Sequence, residues 1–554
     1  MISAPVTPRP AATLILVRDA GANLEVLMAR RTHLADFASG AYVFPGGAVD
    51  EADRGADIAA LCTDLDDAAA SQRLGIERGG LGYWIAAIRE SFEEAGLLLA
   101  HGHTGELVRI AAHEQDIFDT ARRAIAAGET TLHGFAQARS LRLATDRIHY
   151  FSHWITQAGR PRRYDTRFFL AEAPSHQLPS HDGSELVHHV WITPSDALGR
   201  HRNGEFNMLF PTMKTLDALA KLKTVEAAID YARTPRPMPP MEPRAGIGRE
   251  GKKFLVPGDY AYAELGKLDP AQQGTAFYEI TPGAVVQLSE RVRRITAPNP
   301  GMMTGPGTNT YLIGNADSGI AVIDPGPPDE QHIEALIQAA GGPIRWILCT
   351  HTHKDHSPGA RGLKARTGAI THGMVAKFPD NQDTGFVPDV PWREGDTLAI
   401  AGCTLRVLHT PGHASNQVCI LLEEEGMLFT GDHIMQGSTV VINPPDGNMS
   451  EYFASLERLF HEPLEWLAPG HGFLMARPHE MVERLITHRR ARENKVINTL
   501  RQAGTATAEE LLAGVYDDTP ARLHAWAARS LLAHLQKLEA DGRATLSGGR
   551  WTLG

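Results

Sequence analysis

The chain has 554 residues, of which 43% are hydrophobic and 21% are charged, and its formal net charge at pH 7 is −11. This length exceeds one ordinary domain and predicts three or four units, with ample apolar material for their cores. The modest negative charge argues against binding of nucleic acid or membrane over the whole surface, although it does not exclude a local patch.

The first predicted elements are two short strands, residues 12–17 and 24–28, which the turn-rich sequence DAGAN joins as a hairpin. A loop rich in glycine and proline, FPGGAVDEAD, follows, and residues 83–98 carry apolar side chains at helical spacing. Two further strand-like stretches, RYDTRFFLAEAP and ELVHHVWITPSDAL, complete a mixed α/β region that we expect to end near residue 235.

Three glutamates lie on one face of the predicted helix. Glu90, Glu93 and Glu94 stand at positions i, i+3 and i+4, so their carboxylates project together and repel one another unless a cation intervenes. Mg²⁺ or Mn²⁺, held between carboxylates and substrate phosphates, is the natural partner. Arg89 lies on the adjacent face and can orient a carboxylate, and the alternative is a solvated acidic helix face.

This region resembles a Nudix hydrolase over roughly residues 8–230. The family box runs from a glycine through an acidic residue to RE-x-x-EE-x-G, which Gly47, Asp53 (in place of the usual Glu) and residues 89–96 match. Residues 54–88 replace a spacer that is normally seven residues long, as in the interrupted box of the peroxisomal CoA diphosphohydrolase branch.

The resemblance implies an α/β/α sandwich that hydrolyses a pyrophosphate bond in a CoA-like nucleoside diphosphate. Glu93 and Glu94 would be the main ligands of Mg²⁺ or Mn²⁺, and Glu90 would be a third ligand or a base, which makes Glu90 and Glu93 the catalytic candidates. The alternative is a binding module whose metals do not turn over.

A proline-rich stretch, TPRPMPPMEPRAGIGREGKKF, follows this region and has few apolar residues. It predicts a linker over residues 235–287, and a long irregular loop inside one domain is the alternative.

From about residue 288, short strands end in loops, and polar residues appear where the strands stop, which is where α/β proteins usually place their chemistry.

The sequence CTHTHKDHS brings four candidate metal ligands within six residues: His351, His353, Asp355 and His356. Because side chains alternate along an extended loop, His351 and His353 point the same way. Asp355 and His356 lie where the chain turns, so they can face a second metal. Imidazole and carboxylate ligands suit zinc, with iron or manganese as alternatives.

Three later residues, His413, Asp432 and His471, each stand alone on a glycine-flanked loop. A single histidine in a loop is more often structural than a ligand. Together with the cluster, however, these residues indicate a two-metal site rather than a histidine-rich surface loop.

Residues 288–475 resemble the metallo-β-lactamase superfamily, which implies an αββα sandwich with two zinc ions. In the family pattern His351, His353 and His413 would hold one metal, Asp355, His356 and His471 would hold the other, and Asp432 would bridge them. Asp355 would also orient the attacking hydroxide, whereas Asp324 is interpreted as structural. The ligand set contains no cysteine, which is typical of the glyoxalase II-like and nuclease-like branches.

The tail after residue 478 predicts a long helix, two further helices and two short strands around SGG, which is a winged-helix pattern. It resembles the C-terminal segment of β-lactamase-like 2 endoribonucleases, which implies cleavage of single-stranded RNA. Residues 477–501 contain seven Arg or Lys residues against three Glu, a modest basic face for phosphates. Winged helices also serve as packing or dimerisation modules, so a homodimer is left open.

The sequence therefore predicts an α/β multidomain hydrolase with a Nudix-like domain (1–234), a linker (235–287), a metallo-β-lactamase-fold domain (288–478) and a helix plus winged helix (479–554). We expect the zinc site to hydrolyse an RNA-like phosphodiester and the Nudix site to hydrolyse CoA-like pyrophosphates. The alternative is a glyoxalase II-like thioesterase on acyl thioesters, with the Nudix half a binding module.

Cysteine usage and the N-terminus predict a cytoplasmic protein. Four cysteines, none in a CxxC pair, are too few for a disulfide framework in so long a chain. The N-terminus has no basic start followed by an apolar stretch, so we expect no signal peptide, and no run of about eighteen apolar residues predicts a membrane span.

Overall fold

The computed structural model describes residues 6–33, 38–181 and 186–554. The chain forms two compact units, Met1–Arg244 with Ala271–Gln273, and Ala245–Pro270 with Gly274–Gly554. Both units mix helices with sheets, as the sequence predicts. Within the described ranges, no helix combines the length and the apolar character that a bilayer crossing requires.

The N-terminal unit is built on a seven-stranded sheet. Its central strand, Arg9–Ala20, pairs antiparallel with Asn23–Arg31, which confirms the predicted hairpin, and parallel with Tyr164–Glu172. The remaining strands are Tyr42–Val43, Gly46–Ala48, His149–Ile155 and Leu186–Ile192, and a separate pair joins Ala100–His101 to Arg142–Leu143. The helices are Ala56–Ala59, Asp67–Leu74, Leu81–Ala95, Gln115–Ala126, Leu132–Ala138, Pro194–Arg202, Phe210–Leu219 and Val225–Arg233.

The predicted acidic helix spans Leu81–Ala95 and ends where Gly96 adopts the left-handed conformation with φ 68°. Glycine enters this region at no steric cost, so the helix stops here and not at residue 98. Trp84 and Phe92 are buried in the core against the sheet. The opposite face carries Glu90 and Glu93.

The predicted linker, residues 235–287, contains regular structure. A two-stranded hairpin joins Arg244–Gly248 to Gly251–Leu255, and Tyr262–Leu268 is a helix. Val285–Gln287 pairs with Val292–Thr296 as the edge strand of the first sheet of the C-terminal unit. The linker prediction is therefore wrong for the hairpin, the helix and the edge strand. The low apolar content of this stretch gave no sign of them, because only a few of its side chains are buried.

The C-terminal unit has two sheets. The seven-stranded sheet comprises Val285–Gln287, Val292–Thr296, Asn309–Asn315, Gly319–Ile323, Ile344–Leu348, Ile370–Gly373 and Val390–Pro391. The six-stranded sheet comprises Thr397–Ile400, Cys403–His409, Val418–Leu422, Met427–Gly431, Trp466–Pro469 and Met475–Ala476. One buried cluster contains residues of both sheets, such as Tyr311 and Phe429, so the sheets face each other.

Helices cover the outer face of each sheet. Glu330–Ala340 and Gly359–Thr367 bury side chains against the first sheet, and Met449–Arg458 and Pro478–Ala503 bury side chains against the second. This arrangement confirms the predicted αββα sandwich.

The chain ends in a small domain with its own apolar core. The C-terminal end of Pro478–Ala503 packs there with the helices Ala508–Val515 and His524–Ala540 and with a sheet of three short strands, Thr505–Ala506, Ala544–Ser547 and Arg550–Leu553. These elements follow the predicted order of a winged helix.

Candidate metal centre

The seven predicted ligands of the C-terminal half lie on four loops that follow strand ends. His351, His353, Asp355 and His356 follow the strand Ile344–Leu348, and His413 follows Cys403–His409. Asp432 and His471 follow Met427–Gly431 and Trp466–Pro469, which are parallel neighbours, so their carboxyl ends meet at one edge. The fold therefore brings together residues that are up to 120 positions apart in the sequence.

Three histidines form the first group of ligand atoms. His353 Nδ1 lies 3.0 Å from His351 Nε2 and 3.0 Å from His413 Nε2. Three ring nitrogens that converge at this spacing leave room for one cation with imidazole ligands. Asp432 completes this group, and all four ligand atoms lie within 4.8 Å of one another.

Asp355, His356 and His471 form the second group, and Asp432 lies between the two groups. Asp432 Oδ1 is 3.4 Å from His356 Nε2 and 3.3 Å from His471 Nε2. Asp432 Oδ2 is 3.7 Å from His413 Nε2 in the first group. One carboxylate thus presents one oxygen to each group, as a bridging ligand would.

Carbonyl or carboxylate oxygens contact the outer ring nitrogens of three of these histidines and fix the direction of their rings. His413 Nδ1 contacts the Val441 carbonyl oxygen at 2.9 Å, and His471 Nδ1 contacts that of Gly307 at 3.1 Å. His356 Nδ1 contacts Asp324 Oδ2 at 2.9 Å. Each outer nitrogen has an acceptor as its partner and therefore carries the proton, which leaves the Nε2 lone pair for a metal.

Asp324, which the sequence identifies only as structural, orients a candidate ligand. Its carboxylate accepts hydrogen bonds from Thr350 N at 2.8 Å and Thr350 Oγ1 at 2.7 Å, in addition to the bond from His356. Asp324 follows Gly319–Ile323, a parallel neighbour of Ile344–Leu348, so the two strand ends place it beneath the histidine loop. A strand end followed by Asp-Pro-Gly is a signal that could have indicated this position.

The two groups differ in their electrostatics. Burial lowers the pKa of His351, His353 and His413, to about 3 for His353, so these rings stay neutral. Burial also opposes protonation of His471, but the nearby Asp432 and Asp355 carboxylates outweigh it and raise the pKa to about 9. The carboxylates that raise this pKa would also attract a cation to the second group.

The residues present fit divalent metal ions. His356 Nε2 and Asp432 Oδ1 are buried, and within the described part of the chain neither finds a hydrogen-bond partner, although they lie 3.4 Å apart. Buried polar atoms are rarely left without a partner, and a cation between these two atoms would satisfy both. Five imidazoles and two carboxylates form a donor set that suits zinc, iron or manganese.

Arg89 lies at the centre of the predicted carboxylate site of the N-terminal half. Its guanidinium donates to both oxygens of Asp53, at 3.0 and 2.9 Å, and to Glu90 at 2.8 Å and Glu93 at 3.4 Å. Asp53 is only 1% exposed, so this side chain is a buried partner of Arg89. The two ends of the interrupted box therefore meet despite the 35 residues between them, 54–88.

Glu90 and Glu94 contact the glycine-rich loop. A Cβ atom on Gly47 would lie 2.3 Å from Glu90 Oε1, so only glycine lets the carboxylate approach this closely. Glu94 Oε2 accepts a hydrogen bond from Gly46 N at 2.9 Å. Burial raises the pKa of Glu90 to about 7, and the nearby Arg89 only partly offsets it. Among the described residues, Glu90, Glu93 and Glu94 do not form a group with three ligand atoms within 4.8 Å.

Comparison with protein families supports this architecture. The family model described as "Metallo-beta-lactamase superfamily" matches residues 303–471, and "Beta-lactamase associated winged helix domain" matches residues 507–551. "NUDT19 Nudix domain" matches residues 78–219. These matches confirm the predicted fusion of the three folds and show a hydrolytic enzyme.

Individual proteins show the same likeness. "Beta-lactamase-like protein 2 homolog" of Drosophila melanogaster is 32% identical over 277 residues, which cover 48% of this chain and 93% of that protein. "Atrochrysone carboxyl ACP thioesterase" of Passalora fulva is 32% identical over 47% of this chain and 78% of its own length. In the N-terminal half, a NUDIX hydrolase structure from Alicyclobacillus acidocaldarius is 29% identical, with a TM-score of 0.33, over 41% of this chain and 96% of that chain.

Proposed function

Since the chain belongs to the metallo-β-lactamase superfamily through its C-terminal half, we propose that its two-metal centre hydrolyses acyl thioesters, such as those of CoA or an acyl carrier protein. The position of Asp432 between the two histidine groups is the observation that carries the two-metal assignment. Zinc is the proposed metal, with iron and manganese as alternatives. Two such cations, when bound, supply an activated water and polarise the scissile carbonyl.

Asp355 is the residue best placed to orient the attacking water. Its side chain is 27% exposed, whereas that of Asp432 is 11% exposed and that of His356 is fully buried. Thr308 Oγ1 donates a hydrogen bond to Asp355 Oδ2 at 3.2 Å and leaves Oδ1 free of that bond. Asp355 can therefore accept a hydrogen bond from water on the open side of the centre, held in place by Thr308.

Two loops that contact the centre expose apolar side chains, and this supports an acyl substrate. The loop before Thr308 carries Met302, which is 68% exposed. The second loop carries Val375, 64% exposed, and Phe378, 38% exposed, and Lys377 N in this loop donates to Ser415 Oγ beside His413. Exposed apolar residues beside a polar centre are suited to bind a hydrocarbon chain.

The cations of the long helix Pro478–Ala503 give limited support to the predicted RNA surface. Most of them are already engaged: Arg477 pairs with Glu480, Arg490 with Glu457, and Arg492 and Lys495 with Asp518, while Arg489 is 3% exposed. Paired or buried cations attract phosphates weakly. The thioester is therefore the better supported substrate.

Cleavage of an RNA-like phosphodiester is the second candidate. Lys354, between two candidate ligands, and Lys377 are both exposed beside the centre and can meet a phosphate. The same two cations can meet the phosphates of a pantetheine-type thiol, so an assay must separate the two substrates.

We further propose that Glu90, Glu93 and Glu94 hold Mg²⁺ or Mn²⁺ for hydrolysis of a CoA-like nucleoside diphosphate. The match to a Nudix domain over residues 78–219 supports this activity. Glu90 and Glu93 both face the Arg89 guanidinium, so a phosphate-bound cation would compete with Arg89 for these carboxylates. The alternative remains a binding module that does not turn over.

The experiment that tests both proposals combines metal analysis of the purified protein with assays on acyl-CoA, an acylglutathione thioester, short single-stranded RNA and free CoA. Asp355→Ala should abolish thioester hydrolysis and leave CoA pyrophosphate hydrolysis intact, and Glu93→Ala should do the reverse. If the wild-type protein cleaves RNA but no thioester, and Asp355→Ala abolishes that cleavage, then the substrate is the phosphodiester and not the thioester. A protein with fewer than about two transition metals per chain would contradict the binuclear centre.

A further inference from the structure

A short segment, residues 440–442, touches the metal centre from outside. It lies between the strand Met427–Gly431 and the helix Met449–Arg458. Its middle carbonyl, that of Val441, accepts the hydrogen bond from His413 Nδ1 at 2.9 Å. The position of this backbone group therefore decides which way the imidazole of His413 points.

The C-terminal helices hold both neighbours of Val441. Arg489 Nη2, on the helix Pro478–Ala503, donates a hydrogen bond to the Val440 carbonyl. Ser530 Oγ, on the helix His524–Ala540 of the winged-helix domain, accepts one from Ile442 N at 3.4 Å. Arg489 and Ser530 are 3% and 6% exposed, so water competes little for either contact.

Packing reinforces these contacts. Val440 and Ile442 are 3% and 0% exposed, and they belong to one buried cluster with residues of both C-terminal helices, among them Val482, Ile486 and Ala533. Val440 and Ile442 thus pack against the tail, while the Val441 carbonyl between them contacts His413.

Burial of the Arg489 guanidinium at this position is energetically unfavourable. Arg489 is buried, and within the described ranges it has no carboxylate partner; its guanidinium carbon lies 5.3 Å from the centre of the Tyr452 ring. A buried guanidinium without a carboxylate is unfavourable unless its hydrogen bonds are needed. Its hydrogen bond to the Val440 carbonyl lies one residue from the carbonyl that orients His413.

We propose that Arg489 and Ser530 are positioning residues for His413, so that the winged-helix tail acts on the metal centre through residues 440–442. This inference rests on the proposed metal centre. If the segment shifts, the Val441 carbonyl no longer fixes the tautomer and direction of the ring, and Nε2 no longer converges with the nitrogens of His351 and His353. Partners of this kind change metal affinity by about 10- to 100-fold when they are removed.

The test uses the full-length protein with Arg489→Met, and Arg490→Met as the matched control. Arg490 is the next residue of the same helix, has a side chain that is 64% exposed and pairs with Glu457, so its change removes the same charge without touching the segment. Metal-free protein is titrated with Co²⁺ in competition with a chelator, and the visible absorption of the bound ion reports its ligand geometry. Arg489→Met should weaken binding of the first ion by about 10- to 100-fold and alter the spectrum. Arg489→Lys, which keeps a donor, should restore part of both.

The outcomes separate this inference from the proposal on which it rests. A wild-type protein that binds no Co²⁺ would contradict the metal centre itself. Tight binding by the wild type, with Arg489→Met and Arg490→Met indistinguishable in affinity and spectrum, would overturn only the positioning role. If Arg489→Met does not fold, Ser530→Ala decides: a several-fold weaker affinity with an altered spectrum supports the role, and an unchanged affinity and spectrum overturn it.

Discussion

Glu264 accepts two hydrogen bonds from the guanidinium of Arg294, at 2.6 and 2.9 Å, and both side chains are only 2% exposed. The same carboxylate accepts a third bond from Leu474 N at 2.8 Å, three residues after the candidate ligand His471. This buried pair therefore joins the helix Tyr262–Leu268 to the first sheet and to the chain that leaves the metal centre.

We expect Arg294→Met to lower the free energy of unfolding by about 3–5 kcal/mol, because it leaves the Glu264 carboxylate buried without its cation. Urea denaturation followed by tryptophan fluorescence measures the effect. The double change Glu264→Leu with Arg294→Met should cost less than the sum of the two single changes, since neither charge is then stranded. Strictly additive effects would show that the pair is not coupled.

The same pair explains why sequence patterns were a poor guide to residues 235–287. Strands and helices such as 12–17 and 83–98 were predictable because their own apolar spacing matches their secondary structure. Glu264 has no such local signal: its partner Arg294 stands 30 residues away, and a charged residue in a proline-rich stretch normally indicates solvent exposure.

A similar limit applied to the candidate sites. The candidate ligands themselves were predictable, since histidine and aspartate on glycine-flanked loops after strands have a recognisable chemistry. Two of their supporting contacts were not: Val441 acts through a backbone carbonyl, which any residue offers, and the box that contains Asp53 does not show that its carboxylate pairs with Arg89 across the insertion. Tertiary packing alone selects these partners.

We expect Asp432→Ala to reduce the metal content from about two ions per chain to one or fewer, because its two oxygens face different histidine groups. Elemental analysis by mass spectrometry after dialysis against metal-free buffer measures the ratio. Asp389→Ala is the control, since Asp389 forms a half-exposed ion pair with Lys364 on the surface. Retention of two ions by Asp432→Ala would exclude a bridging role.

We expect Gly47→Ala to reduce Mn²⁺-dependent hydrolysis of CoA at least about tenfold, because the added methyl group would displace the Glu90 carboxylate. Thioester hydrolysis in the other half should be unchanged, which shows that the effect is confined to the N-terminal unit, and circular dichroism checks that this unit still folds. Gly102→Ala in the same unit is the control, since a Cβ there meets no atom within 4 Å. Equal CoA hydrolysis by the two variants would argue against a catalytic position for Glu90.

We expect His332 to make the C-terminal unit sensitive to acid. Burial lowers the pKa of this histidine from 6.5 to about 4, and its Nε2 lies 3.0 Å from Thr310 Oγ1, which itself donates to the Asp324 carbonyl at 2.7 Å. The neutral ring therefore donates to Thr310. As the pH falls from about 6.5 to 4, His332 becomes protonated in the unfolded chain but stays neutral in the folded chain. The free energy of unfolding is therefore highest above pH 6.5 and falls across this window by up to about 3 kcal/mol.

His332→Gln keeps a donor for Thr310 and removes this proton uptake. Urea denaturation at several pH values between 6.5 and 4 should therefore show a shallower loss of stability in the variant than in the wild type. His461→Gln, at an exposed histidine, serves as the control and should follow the wild type. Acid release of metal affects all three proteins alike, so the difference between their slopes of unfolding free energy against pH isolates the contribution of His332. Parallel curves for His332→Gln and the wild type would refute this contribution.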